Sequence, residues 1–156
     1  MSFAKANILI KESEKMKNYN LLKITKGSGK MENIQSINTN TLTNEFCIKQ
    51  SKNKNSICSS CYSMNNLKTF RKNCIPSRQH NSDLLSKEII HNQLLPNILN
   101  AFFRFSSDGE LINDIHLINL INICLKNKHC TFTLWTKRKD IINKVFKENI
   151  KPKNMI

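Results

Sequence analysis

Apolar residues recur at helical spacing between Ser82 and Leu99, and this spacing predicts the first long helix of the chain. The apolar positions are Leu84, Leu85, Ile89, Ile90, Leu94, Leu95 and Ile98. Ser82 is the predicted N-cap, because a serine side chain accepts a hydrogen bond from a free N–H group at a helix start. Pro96 is predicted to kink or end this helix, since proline lacks a backbone donor.

Downstream of this helix, the pattern alternates between short aromatic runs and longer helical periods. It predicts a strand, a helix, a strand and a helix over residues 101–105, 113–126, 130–136 and 139–148. Asn113 or Asp114 is the predicted cap of the first of these two helices. The polar face of that helix is predicted to carry Asn119, Asn122 and Lys126.

Alternating helices and strands predict an α/β fold, in which right-handed crossovers join parallel strands. The architecture is either a partial (β/α) barrel or an open parallel sheet, and residues 34–37 form an earlier strand. The sequence ends where another strand could begin, which predicts a domain truncated at its C-terminus. An open sheet edge would then be available to a protein partner.

The chain divides into a leader and one domain. Residues 1–33 are rich in lysine and weakly patterned, and we expect a weakly structured basic leader. Residues 34–156 are expected to form a single α/β domain with a cysteine-containing loop at residues 47–74. The segment Gly27-Ser28-Gly29-Lys30 is not a phosphate-binding loop, because that motif requires Gly at the position of Ile24 and Ser or Thr at the position of Met31.

Composition favours an anionic partner but names no function. The formal net charge is +14, which predicts attraction to nucleic acid or other polyanions. The chain has 23 Asn, 21 Lys and 20 Ile, a usage typical of AT-rich genomes, so codon bias accounts for part of this charge. No apolar run near the start is long enough for a secretion signal or a membrane span, and we expect a cytoplasmic protein without membrane association.

Three cysteines cluster along the chain and are the main candidates for chemistry. Cys58 and Cys61 form a Cys-x-x-Cys pair, and Cys47 precedes it by ten intervening residues. In a reducing compartment, such a cluster favours zinc or an iron–sulfur cluster over disulfides. A redox pair or small buried residues remain alternatives. Cys74 or His80 could supply a fourth ligand, although packing or surface placement is the commoner role for such residues.

The ends of the two predicted downstream strands carry the other candidates. The loop at residues 106–110 contains Asp108, which could bind a cation or a polar ligand, or simply form a turn beside Gly109. Trp135 and Lys137 follow the next strand and could hold a base or a phosphate. The alternative is a buried tryptophan with solvated basic neighbours. Cys124 and Cys130 are predicted core residues.

Four segments, in this order, resemble the phage family called gene product 88. They are TLTNEFC at 41–47, NSICSSCY at 55–62, FRFSSDGELIN at 103–113 and FTLWTK at 132–137. The resemblance implies a phage or prophage origin and a bacterial host cytoplasm, but no established activity. The Cys-x-x-Cys-Tyr motif and the alternating elements are also similar to radical S-adenosylmethionine barrels. By that analogy Cys47, Cys58 and Cys61 are cluster ligands, with Asp108, Trp135 and Lys137 nearest to them.

Family members usually have Gly-Asp where this chain has Gly109-Glu110, and they continue beyond the third helix. The first hypothesis is therefore a phage-derived α/β protein that binds zinc or an iron–sulfur cluster. The alternative is a basic accessory protein that binds nucleic acid, with a structural metal or none. A decayed fragment without activity is a third possibility. Whether the protein is an enzyme stays open, and no hydrolase or dinucleotide motif is present.

Overall fold

In a computed structural model, residues 21–156 are described and residues 1–20 lie outside the described part. A four-stranded sheet organises this part, in the order β1-β2-β3-β4. The strands are β1 (Ile24–Thr25), β2 (Gln35–Ile37), β3 (Phe102–Phe105) and β4 (Thr131–Leu134). β1 pairs antiparallel with β2, whereas β2, β3 and β4 run parallel. The α/β class is therefore confirmed, with a mixed and mostly parallel open sheet.

Five α-helices accompany the sheet in residues 21–156. They are α1 (Glu45–Lys52), α2 (Tyr62–Lys68), α3 (Ile75–Lys87), α4 (Asp114–Lys126) and α5 (Lys139–Glu148). The predicted strands at β2, β3 and β4 and the predicted helices α4 and α5 are confirmed. Asn113 caps α4, because its side chain accepts a hydrogen bond from the N–H of His116 at 2.9 Å.

The predicted helix over residues 82–99 is wrong at both ends. α3 begins seven residues earlier, at Ile75, with Pro76 in its first turn, where a missing N–H costs nothing. Ser82 lies inside α3, buried, and its hydroxyl donates to the carbonyl of Arg78 at 3.0 Å. α3 ends at Lys87, before Pro96 is reached.

Asparagine side chains from α4 and its C-cap explain why the apolar residues after α3 do not continue the α-helix. Asn119 Oδ1 accepts a hydrogen bond from the N–H of Ile90 at 2.9 Å, and Asn127 Oδ1 accepts one from the N–H of Ile98 at 2.7 Å. These bonds satisfy the buried backbone in place of helical bonds, so both isoleucines reach the core from outside any helix. Asn119 itself is fully buried, which corrects its predicted place on the polar face of α4.

The hydrophobic core lies on one face of the sheet. Phe103, Phe105 and Phe132 pack there with their ring centroids 4.9 to 5.8 Å apart, against apolar residues of α3, α4 and α5. Side chains that alternate with them point to the other face, which is largely open. Phe102 and Trp135 on that face are 60% and 84% exposed, so the expectation of a buried tryptophan is wrong.

Both ends of the described chain add to the sheet. Leu22, within the predicted leader, is buried, and β1 follows it directly. At the C-terminus, residues 154–156 pair in parallel with β4, and the N–H of Ile156 donates to the carbonyl of Phe132 at 2.8 Å. Met155 therefore forms an isolated β-bridge with Phe132 where the sequence allowed a further strand.

Candidate functional site

Cys47 lies in the first turn of α1, and polar contacts fix that turn to the sheet. Asn44 caps α1 by accepting a hydrogen bond from the N–H of Cys47 at 3.2 Å. The Asn44 side chain also donates to the carbonyl of Glu110 at 3.0 Å. Because Glu110 follows β3, this pair of bonds brings the start of α1 to the carboxyl edge of the sheet, where α/β folds bind ligands.

Cys58 and Cys61 lie on a short connection between α1 and α2. Cys58 is part of a 3₁₀ turn, Ile57–Ser60, which Ser56 caps by accepting from the N–H of Cys58 at 3.2 Å. Cys61 follows this turn and immediately precedes α2. Both side chains are half-buried, so their thiols border solvent without facing it fully.

Electrostatics place the three cysteines, Glu110 and Lys137 in one neighbourhood, named here the thiol cluster. Burial, together with the smaller effects of the charges of Glu110, Cys61 and Cys58, raises the pKa of the Cys47 thiol to about 12, whereas the charge of Lys137 acts to lower it. Lys137 Nζ donates to Cys58 Sγ at 2.9 Å, and this hydrogen bond raises the pKa of Lys137. Between residues 21 and 156, however, no three His, Cys, Asp or Glu side chains form a ready-made metal site.

The side chain of Glu110 joins the ends of β3 and β4. The sequence alone did not distinguish Glu110 from the rest of the loop at residues 106–110. Its carboxylate accepts from the N–H of Leu111 at 2.9 Å, from the N–H of Lys137 at 2.8 Å and from the hydroxyl of Thr136. The residue is only 8% exposed. The one sequence signal was its position, two residues after Asp108 at the carboxyl end of a strand.

Asp108 forms a buried ion pair near β2. Its carboxylate accepts from Arg78 Nη2 at 2.5 Å and lies 3.7 Å from Arg71 Nη1. Its backbone N–H donates to Asn38 Oδ1 at 2.9 Å. The alternative prediction, that Asp108 forms a turn beside Gly109, also applies. Gly109 has φ +96°, and a Cβ there would meet Thr39 Oγ1 at 2.1 Å.

A buried polar run follows β2, and periodicity gave no sign of it. Asn38, Thr39, Asn40 and Thr41 are each at most 2% exposed. Asn38 Oδ1 also accepts from the hydroxyl of Ser107 at 2.7 Å, and the N–H of Asn40 donates to Ser82 Oγ at 2.9 Å. This run therefore links β2 to α3 and to the loop after β3. It lies beside the ion pair of Asp108 and beside Glu110.

The remaining candidates lie apart from the thiol cluster. His80 Nε2 is 2.8 Å from the carbonyl oxygen of Leu21, which engages that ring nitrogen away from the thiol cluster. Cys124 and Cys130 are fully buried, so their predicted core placement is confirmed, and burial raises their pKa values to about 12 and about 11. Cys74 lines a separate hollow with Arg71.

Comparisons with family models, with curated proteins and with solved structures gave no match to this chain. No helix formed by the described residues is long and apolar enough to cross a membrane.

Proposed function

We propose that this protein binds a zinc ion or an iron–sulfur cluster through Cys47, Cys58 and Cys61. The observation that carries the proposal is that Cys47 lies near enough to Cys58, Cys61 and Glu110 for their charges to raise the pKa of its thiol, while Cys58 Sγ accepts a hydrogen bond from Lys137, just after β4. The ordered resemblance to the gene product 88 family further supports a phage origin for this site.

The donor set suits a thiophilic metal. Thiolates are the preferred ligands of zinc and of iron–sulfur clusters, and a Cys-x-x-Cys turn places two of them on one metal. Because no ligand set is ready-made in residues 21–156, coordination requires the turn Ile57–Ser60 to draw its two sulfurs toward Cys47. That turn is short and half-exposed, so its movement does not disturb the hydrophobic core.

None of the described residues near the three cysteines is an obvious fourth ligand for such a centre. Both Glu110 oxygens already accept hydrogen bonds from Thr136 and Lys137 that join the ends of β3 and β4, so coordination by this carboxylate would break that connection. Three protein thiolates with an open position are typical of centres that take an exogenous ligand. Lys137 adds a positive charge 2.9 Å from Cys58 Sγ, which would offset part of the negative charge of a centre with three thiolate ligands.

Cobalt titration of the metal-free protein under anaerobic conditions tests this proposal. We expect saturable thiolate-to-cobalt absorption in the wild-type protein, and displacement of the cobalt by zinc. Cys58→Ser should weaken cobalt binding by about tenfold or more, since it removes one thiolate. Cys74→Ser is the matched control, because Cys74 is also half-buried but lines a different hollow, and it should bind as the wild type does.

An iron–sulfur centre is tested in parallel by supplying iron and sulfide to the same variants. Visible absorption in the wild type and Cys74→Ser, but not in Cys58→Ser, would identify a cluster. The proposal is wrong if Cys58→Ser and the wild type bind cobalt, zinc and iron equally, or if the wild type binds none of them.

A further inference from the structure

Three of the four arginines in the chain meet in one hollow, which we name the basic hollow. It has a volume of about 450 Å³ and lies beside the carboxyl ends of β2 and β3. Its charged lining residues are Lys26, Arg71, Arg78, Arg104 and Asp108. Four cations therefore face a single carboxylate, an imbalance that favours an anionic ligand.

The carboxylate of Asp108 does not neutralise this hollow. It is engaged by Arg78 and Arg71, whereas Arg104 and Lys26 form no ion pair with any residue between 21 and 156. Arg78 is 4% exposed, and its Nη1 group has no hydrogen-bond partner among the described residues. A buried guanidinium nitrogen without an acceptor is costly, so an oxyanion bound in the hollow would stabilise it.

A second, apolar hollow adjoins the first on the open face of the sheet. Its volume is about 380 Å³, and it shares Met31, Ile34 and Arg104 with the basic hollow. Its other lining residues include Phe102 and Trp135, both largely exposed. Large exposed aromatic groups next to unpaired arginines are typical of surfaces that stack bases and hold phosphates.

We propose that the two hollows together bind a nucleoside phosphate. Its phosphate occupies the basic hollow, where arginine forks match phosphate oxygens, and its base packs against Trp135 and Phe102. Arg104 lies between the two subsites. An inorganic anion would use only the basic hollow, and an uncharged aromatic ligand would use only the apolar one. The ligand is either a free nucleotide or one unit of a single-stranded nucleic acid.

This inference does not rest on the metal. None of Cys47, Cys58 and Cys61 lines either hollow. It gives the predicted affinity for nucleic acid a defined place on the molecule, rather than assigning it to net charge alone.

Trp135 is the only tryptophan of the chain, so its fluorescence reports directly on the proposed base subsite. The probes are adenosine monophosphate, adenosine, inorganic phosphate and a short single-stranded oligoadenylate. We expect saturable quenching with adenosine monophosphate and much weaker quenching with adenosine. Affinity should fall with added salt, since the phosphate contact is electrostatic.

Arg104→Gln should weaken binding of adenosine monophosphate by about tenfold or more, as expected for loss of a charge-assisted contact. Lys147→Gln is the matched control, because Lys147 is exposed on α5 and lies outside both hollows. Trp135→Ala, followed by calorimetry, should weaken the nucleotide but leave binding of inorganic phosphate unchanged. Thermal unfolding of each variant identifies any loss of fold.

The oligonucleotide distinguishes the two sources of the ligand, and either outcome supports the site. Tighter binding of oligoadenylate than of the monophosphate would assign the site to single strands, whereas equal binding would assign it to free nucleotides. The proposal is overturned if neither probe quenches Trp135. It is equally overturned if folded Arg104→Gln and Trp135→Ala bind both probes as tightly as the wild type.

Discussion

Two regions of this molecule are held together in different ways. The apolar half, residues 102–148, contains β3, α4, β4 and α5, and its interior consists mainly of phenylalanine, leucine and isoleucine side chains. The polar half, residues 36–87, has buried polar side chains that form hydrogen bonds with residues at least 30 positions away in the sequence. They are Asn38, Asn40, Arg78, Asn81 and Ser82. Apolar burial is non-directional, whereas each buried polar group requires one particular partner.

The two halves also differ in what they contribute to the proposed sites. The apolar half fixes where β3 and β4 end, and hence where Asp108, Glu110 and Lys137 lie. The polar half supplies Cys47, Cys58, Cys61, Arg71 and Arg78, which approach those strand ends from the opposite side. Both proposed sites therefore lie at the junction of the halves. A substitution inside one half should change the free energy of unfolding, and a substitution at the junction should also change ligand binding.

The largest expected effect is loss of a core ring in the apolar half. Phe103 is fully buried between Phe105 and Phe132, so Phe103→Ala should lower the free energy of unfolding by about 3–5 kcal/mol. Urea denaturation measures this change. The adjacent Phe102 is 60% exposed, and Phe102→Ala should cost less than about 1 kcal/mol. Equal losses for the two variants would contradict the assignment of the core face.

A smaller effect is expected where the halves touch. Gly109 has φ +96°, and a Cβ there would lie 2.8 Å from the backbone oxygen of Thr39. Gly109→Ala should therefore destabilise the protein by about 1–3 kcal/mol, through overpacking and backbone strain. Gly29→Ala is the control, because Gly29 also has a positive φ, +57°, but has no atom near the added methyl group. If both substitutions cost the same, contact with Thr39 is not the cause.

The smallest expected effect near neutral pH is a pH dependence in the apolar half. Burial lowers the pKa of His116 from 6.5 to about 3, and its Nδ1 accepts from the N–H of Ile112 at 3.2 Å. Between these two pH values the unfolded chain binds a proton that the folded chain does not. Stability should therefore fall as pH falls below 6.5, by up to about 1.4 kcal/mol per pH unit.

His116→Gln should remove this contribution, because glutamine can accept the same bond without titrating. The comparison is between the pH slopes of urea midpoints for the wild type, His116→Gln and the exposed His91→Gln. Only the first substitution should flatten the slope. Parallel slopes for all three proteins would show that folding does not lower the pKa of His116.

The apolar half was predictable from sequence, because hydrophobic period alone determines which face of an element is buried. β3, β4, α4 and α5 lie close to their predicted bounds. The same rule failed over the second part of residues 82–99, after α3 ends at Lys87, where Asn119 and Asn127 hydrogen-bond the backbone of a segment that has a helix-like apolar pattern but forms no α-helix. A hydrogen bond between residues about 30 positions apart has no local signature.

The residues of the candidate site also divide into those that the sequence predicted and those that it did not. Spacing was enough to group Cys58 with Cys61 and to suggest Cys47, since metal-ligand motifs are local. Glu110, Arg78 and Arg104 acquire their roles only when β2, β3, β4 and α3 come together. Trp135 was expected to be buried because tryptophan is large and apolar, but it lies on a sheet face that no helix covers.

Metal and sulfide analysis of the full chain, purified without oxygen, tests the central claim most directly, which is that the three thiols form one metal centre. The account predicts either about one zinc per chain, or iron with acid-labile sulfide and visible absorption. It also predicts that Cys58→Ser loses that content while Cys74→Ser keeps it. A wild-type protein without zinc, iron or sulfide that takes up none of them on reconstitution would contradict the account.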